Sequence, residues 1–200
     1  MPRAGLTTDR VVAAAAELAD EGGFEKVTVS ALARRFGVKD ASLYTHVRGL
    51  ADLRVRLALR ASGEQIEEIA EAVAGRAGRE ALAAFAGAYR SYALRHPGRY
   101  AATQIRIDPA LAADSPAMRR TAEITYGMLR AYDLSEPDLT DAVRLLRSTF
   151  HGYCALEASG VFAAPREVRA SWDKAVEALH LALTHWPRET ASETVTMPVD

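Results

Sequence analysis

Cysteine is nearly absent: Cys154 is the only one in 200 residues. No internal disulfide can form, and this usage fits a reducing compartment, so a cytoplasmic location is expected. No uncharged run approaches the roughly twenty residues a membrane helix needs, and the first ten residues hold no apolar stretch that could act as a secretory signal. Alternation at period two is missing as well. Val27-Thr28-Val29 is too short for a sheet strand, and Val195-Thr196-Met197 lies in a C-terminal stretch without pattern. There is no internal repeat, low-complexity block, glycine-rich phosphate loop, serine-centred elbow or paired-carboxylate signature. His151 and Glu157 stand six apart and His180 and His185 five apart, which puts neither pair on one helical face, so no metal site is expected. Nothing asks for a cofactor, and an enzyme is not expected.

What the chain does contain is helical periodicity in a soluble composition, 49% hydrophobic and 26% charged. The net charge of −1 is uneven. Residues 1–60 hold ten Lys and Arg against seven Asp and Glu, a net of +3, and residues 61–200 hold fifteen against nineteen, a net of −4. A basic head on an acidic body hints at a polyanion partner at one end. The eight prolines fall where an apolar period stops or starts. Val11, Ala15, Leu18 and Ala19 form one helical face behind Thr7-Thr8-Asp9, and Gly22-Gly23 ends it. Thr28 can cap a short second helix that turns Val29, Leu32, Ala33 and Phe36 inward, with Gly37 as the stop, and Asp40 opens a third that runs through His46. A long helix from Leu50 is followed by one ending near His96, a short one at 100–105, a loop over 106–116 and a helix over 117–132. Leu139, Val143, Leu146, Phe150 and Tyr153 share the face of the next, and Val168, Trp172, Val176, Leu179, Leu183 and Trp186 that of the last. The expected fold is all-α with about nine helices. The chain is expected to divide into a small basic head at 1–66, a larger body at 67–187 and a flexible tail at 188–200.

Residues 27–46, VTVSALARRFGVKDASLYTH, carry the most information. A helix-turn-helix needs a small residue where its helices cross, a residue tolerant of positive φ four positions on, and an aliphatic plug about six beyond that. Ala33, Gly37 and Leu43 meet these demands, Val38 and Val47 complete the wedge, and Phe24, Val29, Leu32 and Leu53 can close the core around it. The second helix would then show Lys39, Asp40, Ala41, Ser42, Tyr44, Thr45 and His46 to solvent. That surface is short, polar and rich in donors, suited to a major groove about 12 Å wide. Ser42, Tyr44 and His46 can donate to phosphate oxygens beside Arg48, and Thr28 offers a hydroxyl at the start of the preceding helix. Lys39 suits guanine acceptors. Asp40 suits the cytosine amine, and being repelled by phosphate it would serve specificity rather than affinity.

Residues 6–60 resemble the DNA-binding head of the tetracycline-repressor (TetR) family of bacterial transcription regulators. The matching stretches are Leu6-Thr7-Thr8-Asp9-Arg10-Val11, Gly23-Phe24, the run from Val27 to Ala33, Phe36-Gly37-Val38 and Ser42-Leu43-Tyr44-Thr45-His46-Val47. The resemblance implies that Thr28, Ser42, Tyr44 and His46 hold the DNA backbone while Ser30, Lys39, Asp40, Ala41 and Thr45 face the bases. Family members usually carry a phosphate-binding lysine at the start of the fourth helix, where this chain reads Arg48-Gly49-Leu50, so Arg48 or Arg54 is expected to replace it.

The body is similar to one regulatory-domain subgroup, through His151-Gly152, Leu156-Glu157, Gly160, Phe162 and Ser171-Trp172-Asp173. That likeness implies a homodimer built by the last two long helices, a pocket for a small-molecule effector, and a ligand-released repressor on a palindromic operator in double-stranded DNA. Tyr89, Tyr92, Tyr126, Phe150 and His151 are the candidate pocket residues, with Phe85 and Tyr153 as further aromatics. Leu139, Val143, Trp172, Leu179 and Leu183 are the candidate dimer seam, and Cys154 reads as an inert buried residue. The rival reading is an all-helical ligand-binding or catalytic protein whose helix pair is only structural. It requires a perturbed acid–base pair, for which the sequence offers no candidate. Activation instead of repression, or two cooperating dimers, would leave the same signature.

Overall fold

The computed structural model of the chain describes residues 5–187. Among these residues there are ten α-helices, two 3-10 turns and no strand. The first, α1 (Thr8–Gly22), starts where the Thr7 hydroxyl accepts the Arg10 N–H at 3.2 Å. A 3-10 turn at Phe24–Lys26 leads to α2 (Val29–Phe36), capped by Thr28, whose hydroxyl accepts the Ala31 N–H at 3.1 Å. Gly37 ends α2 in the left-handed conformation, φ 67° and ψ 35°, which a residue without a Cβ adopts at no steric cost. The single turn α3 (Asp40–Leu43) is shorter than expected. Residues 44–46 leave the helix as a turn closed by the His46 N–H to the Leu43 carbonyl at 2.9 Å.

Seven helices follow: α4 (Leu50–Val73), α5 (Gly78–Arg95), α6 (Pro97–Ala102), α7 (Pro109–Asp114), α8 (Pro116–Leu129), α9 (Asp138–Ala158) and α10 (Val168–Thr184). The unexpected one is α7, which lies inside the stretch read as a loop. Pro109 does not break it but begins it, because proline at the first helical position gives up an N–H that has no partner there anyway. Asp108 supplies the cap, accepting the Ala110 N–H at 2.8 Å.

The helices enclose two cores. The head core joins Val11, Ala15, Phe24, Leu32 and Leu43 to Leu53 and Leu57 of α4. The body core joins Ile66 and Ile69 of the same helix to Leu82, Tyr92, Leu129, Phe150 and Trp172. Fully burying one such leucine or phenylalanine contributes about 1.5–3 kcal/mol, so α4 is fastened at both ends. The short α6 belongs to both bodies. Ala102 is buried in the head core, while Tyr100 is buried in the body core. Gly98 of α6 lies so near α1 that an added Cβ would be 1.9 Å from the Ala19 carbonyl oxygen. The Arg99 N–H then donates to Asp20 Oδ1 at 2.9 Å, His96 Nδ1 lies 3.1 Å from Asp20 Oδ2, and the Arg99 guanidinium reaches Glu64 Oε2 at 3.2 Å. One carboxylate of α1 thus ties the head to His96 and Arg99, and Arg99 in turn reaches Glu64 of α4.

Three of the five residues expected at a dimer seam are buried within the single chain. Trp172, Leu179 and Leu183 are covered within the single chain, because they are the face with which α10 packs on α5 and α9. Leu139 and Val143 are partly buried and pack against the body core. The outward faces of α9 and α10 are formed by other residues. The tail at 188–200 lies outside the described residues.

Candidate nucleic-acid interface and effector cavity

The α2–turn–α3 unit is built on the wedge expected from its sequence. Ala33, Leu43 and Val47 are buried, with Leu43 fully so, and the Val38 N–H bonds the Ala33 carbonyl at 3.0 Å across the turn. The Thr8 hydroxyl donates to the His46 carbonyl at 3.2 Å and pins the end of the unit to α1. A rigid inner side leaves the outer side free to be polar. Lys39, Asp40, Ala41, Ser42 and Thr45 are exposed, His46 is half-buried, and Tyr44 is 56% exposed. The buried Leu43 beside it fixes the turn, so the Tyr44 ring and hydroxyl stand free at the surface.

The structure brings two of the expected base-facing residues together. The Ser30 hydroxyl of α2 donates to the Asp40 carboxylate of α3, ten residues away. In the free chain, then, Asp40 has one oxygen engaged and one to offer. Thr45 is held by donating its hydroxyl to the Ser42 carbonyl at 2.9 Å. Thr28 spends its oxygen lone pair on the α2 cap but keeps its O–H as a donor.

The two expected substitutes for the missing lysine prove unequal. The Arg54 guanidinium is 2.8 Å from Glu25 and sits 4.9 Å over the Phe24 ring, so it is already engaged. The Arg48 side chain is 85% exposed, with Asp52 only at 3.8 Å. The Arg48 N–H donates to Asp52 at 2.9 Å just before α4, and Arg56 binds the same carboxylate at 3.0 Å. Burial pushes the Asp52 carboxyl up, but the Arg48 N–H and the Arg56 guanidinium outweigh it and hold it below the usual carboxylate range.

In the body, helices α4, α5, α8 and α9 enclose a cavity of about 200 Å³. Ile66, Ile69, Phe85 and Leu146 line it, together with two of the expected residues, Tyr89 and Phe150. The other three lie elsewhere. Tyr92 turns away and donates to the Ala61 carbonyl at 3.1 Å, Tyr126 is exposed, and His151 accepts or donates at 2.8 Å to Tyr100 behind the wall. The Tyr100 hydroxyl is in turn 2.9 Å from that of Tyr89, so His151 reaches the cavity only through two phenols. Burial pushes both of these phenols up, which keeps them neutral at physiological pH. Behind the same wall, burial pushes the Cys154 thiol up to about 12.

Two polar lining residues, Gln65 and Arg147, are not among the aromatic candidates that the sequence offers. Gln65 stands four residues before Ile69, and Arg147 four after Val143, so each shares a helical face with an apolar lining residue. A polar group inside an apolar period is the signal that could have found them. Val143, expected at the dimer seam, is among the residues that line this cavity. Among the described residues no cluster of three His, Cys, Asp or Glu could hold a metal ion, and no helix is long and apolar enough to cross a membrane.

A helix-turn-helix head on a hollow helical body is the architecture of a DNA-binding transcriptional regulator, and the comparisons agree. Residues 11–54 match the family model of bacterial regulatory proteins of the tetR family, and residues 82–179 match a tetracyclin repressor-like C-terminal domain. The uncharacterized HTH-type transcriptional regulator YobS of Bacillus subtilis (strain 168) is 32% identical over 85% of this chain and 88% of its own. The uncharacterized HTH-type transcriptional regulator Rv0681 of Mycobacterium tuberculosis is 37% identical over 79% of this chain and 73% of its own. The TetR family protein ActR of Streptomyces coelicolor, solved in complex with (S)-DNPA, superposes with a TM-score of 0.72 at 21% identity, covering 92% of this chain and 100% of that one. The chain belongs to the tetR family of bacterial transcriptional regulators.

Proposed function

We propose that this regulator is a ligand-released repressor that reads a palindromic operator as a homodimer. The observation that carries the reading is the pairing of an exposed Tyr44 face over a buried wedge with a cavity walled by the same α4 that anchors the head. Residues 1–66 serve as the reading head and 67–187 as the effector-binding and dimerising body. Thr28, Ser42, Tyr44, His46 and Arg48 donate to phosphates, and Ser30, Lys39, Asp40, Ala41 and Thr45 meet base edges. On a promoter this occupancy competes with polymerase. A solved complex of ActR with a small molecule supports the effector role of the cavity here.

The dimer seam is best sought on the outward faces that burial leaves over. Ser148, Gly152, Ala155 and Leu156 share one face of α9, and Ala178, Leu181 and Ala182 one of α10. Small residues allow close helix approach, and Leu181, 52% exposed, supplies an apolar knob. Two copies so joined place their α3 turns on successive major grooves, one helical turn or a multiple of it apart. An effector that prefers the dimer with misplaced heads empties the operator by population shift, for which a few kcal/mol of differential affinity is enough.

Selection from a random duplex library followed by anisotropy titration tests the reading. Enrichment of a palindrome, binding that falls steeply with salt, and weakening in Tyr44→Phe and His46→Ala are expected. Failure to enrich any palindrome would sink it.

A further inference from the structure

Resting on the reading of the body cavity as the effector site, we infer that its effector is a compact aromatic anion, a ring system bearing a carboxylate or an equivalent acid. Three observations converge on that class. The first is sign. Arg147 is the one charged residue in the lining, and no Asp or Glu accompanies it. Among the described residues its guanidinium has no hydrogen bond or ion pair. A solvent-exposed guanidinium at the rim of an apolar space whose lining holds no carboxylate favours a negative occupant, since guanidinium and carboxylate meet through parallel charge-assisted bonds.

The second observation is a missing acceptor. The Gln65 side-chain nitrogen is buried without any hydrogen-bond partner, and Gln65 lines the same cavity. An orphaned buried donor is costly, and a ligand oxygen would satisfy it. Among the other polar groups of the wall, Thr121 donates to the Ala117 carbonyl at 2.9 Å, and Gln104 donates to Thr103 at 2.7 Å. The orphaned Gln65 N–H calls for an acceptor, which an acid supplies and an ammonium group does not.

The third is shape. Phe85 and Phe150 have ring centroids 6.1 Å apart, and Tyr89 and Phe150 5.5 Å apart, so one wall is a continuous aromatic surface. Ile66, Ile69 and Leu146 supply aliphatic contacts from α4 and α9. A volume of about 200 Å³ falls below the range of roughly 300–1,000 Å³ usual for drug-sized ligands, so a molecule of one or two rings fits and a large polycyclic one does not. Rings tend to pack on rings in offset or edge-on geometry, which this wall permits.

A matched trio tests the class: 1-naphthylacetate, its neutral amide 1-naphthylacetamide, and the cation 2-(1-naphthyl)ethylamine, each titrated calorimetrically into the full chain. The acid is expected to bind at least about tenfold more tightly than the amide, with the amine weakest. In Arg147→Met the acid should fall to the affinity of the amide, with melting curves confirming that the variant is folded. Gln65→Leu should weaken acid and amide alike, since both offer an oxygen. The inference is overturned if amide or amine matches the acid, if Arg147→Met retains the preference, or if the acid does not bind at millimolar concentration. A parallel titration on protein bound to its selected duplex separates this inference from the reading beneath it. If the acid binds the cavity but leaves the duplex bound, the class stands and ligand release falls. If the amide or amine frees the duplex and the acid does not, release stands and the class falls.

Discussion

Replacing Gly98 with alanine puts a methyl group where the backbone of α1 already stands. The new Cβ would lie 1.9 Å from the Ala19 carbonyl oxygen, 2.1 Å from its carbon and 2.6 Å from the Asp20 nitrogen. Favourable contact between such atoms lies at about 3.5–4 Å, so α6 must retreat from α1 by well over an ångström. All three obstructing atoms are backbone, so no side chain can swing aside. Retreat draws Ala102 out of the head core and stretches the 2.9 Å bond between the Arg99 N–H and Asp20. Overpacking costs typically about 1–3 kcal/mol, and losing a hydrogen bond to a charged group adds about 1.5–3. A loss on the order of 3–5 kcal/mol lowers the melting temperature of a chain this size by about 6–20 °C. Circular dichroism melts of Gly98→Ala measure it. Gly87→Ala is the control. Gly87 also lies within a helix, but its Cβ would meet nothing within 4 Å, so alanine there should stabilise by about 0.5–1 kcal/mol. Equal melting temperatures for Gly98→Ala and the wild type would refute the close approach of α6 to α1.

Further outcomes are accessible to simple measurements. The Arg90 and Glu157 side chains are largely buried, paired at 2.7 Å and topped by Trp172, so Glu157→Ala should lower urea-denaturation stability by about 2–4 kcal/mol and Arg90→Ala by less. Because the Asp52 carboxyl is held below its ordinary value of about 4, its contribution is complete above that pH and is lost as the pH falls through the depressed value. Asp52→Asn should therefore melt below wild type at neutral pH, and the gap should close in strong acid. With its thiol buried and pushed up to about 12, Cys154 should resist iodoacetamide at pH 8 until denaturant opens the body. Rapid alkylation of the folded chain would contradict that burial.

The head was legible in the sequence because its demands are local. Thr28, Ala33, Gly37 and Leu43 each answer a requirement of backbone geometry within a few residues, so residue type alone reveals it. Even there, spacing said nothing of the Ser30–Asp40 bond or of Arg54 being held by Glu25, since both depend on how separate helices meet. The body was legible as helices but not as a site. A face of Trp172, Leu179 and Leu183 is equally suited to a partner or to the same chain, and only the packing of α5 against α10 decides between them. Tyr92 and Phe150 have the same apolar spacing to their neighbours, yet one turns to the Ala61 carbonyl and the other to the cavity. Such choices are made by long-range contacts. The prolines misled for a related reason, because Pro109 begins a helix as readily as it ends one.

The 24 residues of α4 have a mechanical consequence. At 1.5 Å per residue this helix is a stiff rod about 36 Å long, with its N-terminal half gripped by the head and Ser62, Gln65, Ile66 and Ile69 pressed against the cavity. A tilt of only about 5° over that length moves the far end by about 3 Å, close to the rise of one base pair along a duplex, about 3.4 Å. Displacements near the pivot too small to disturb the packing of the body are thereby multiplied into an error of roughly one base step at the head.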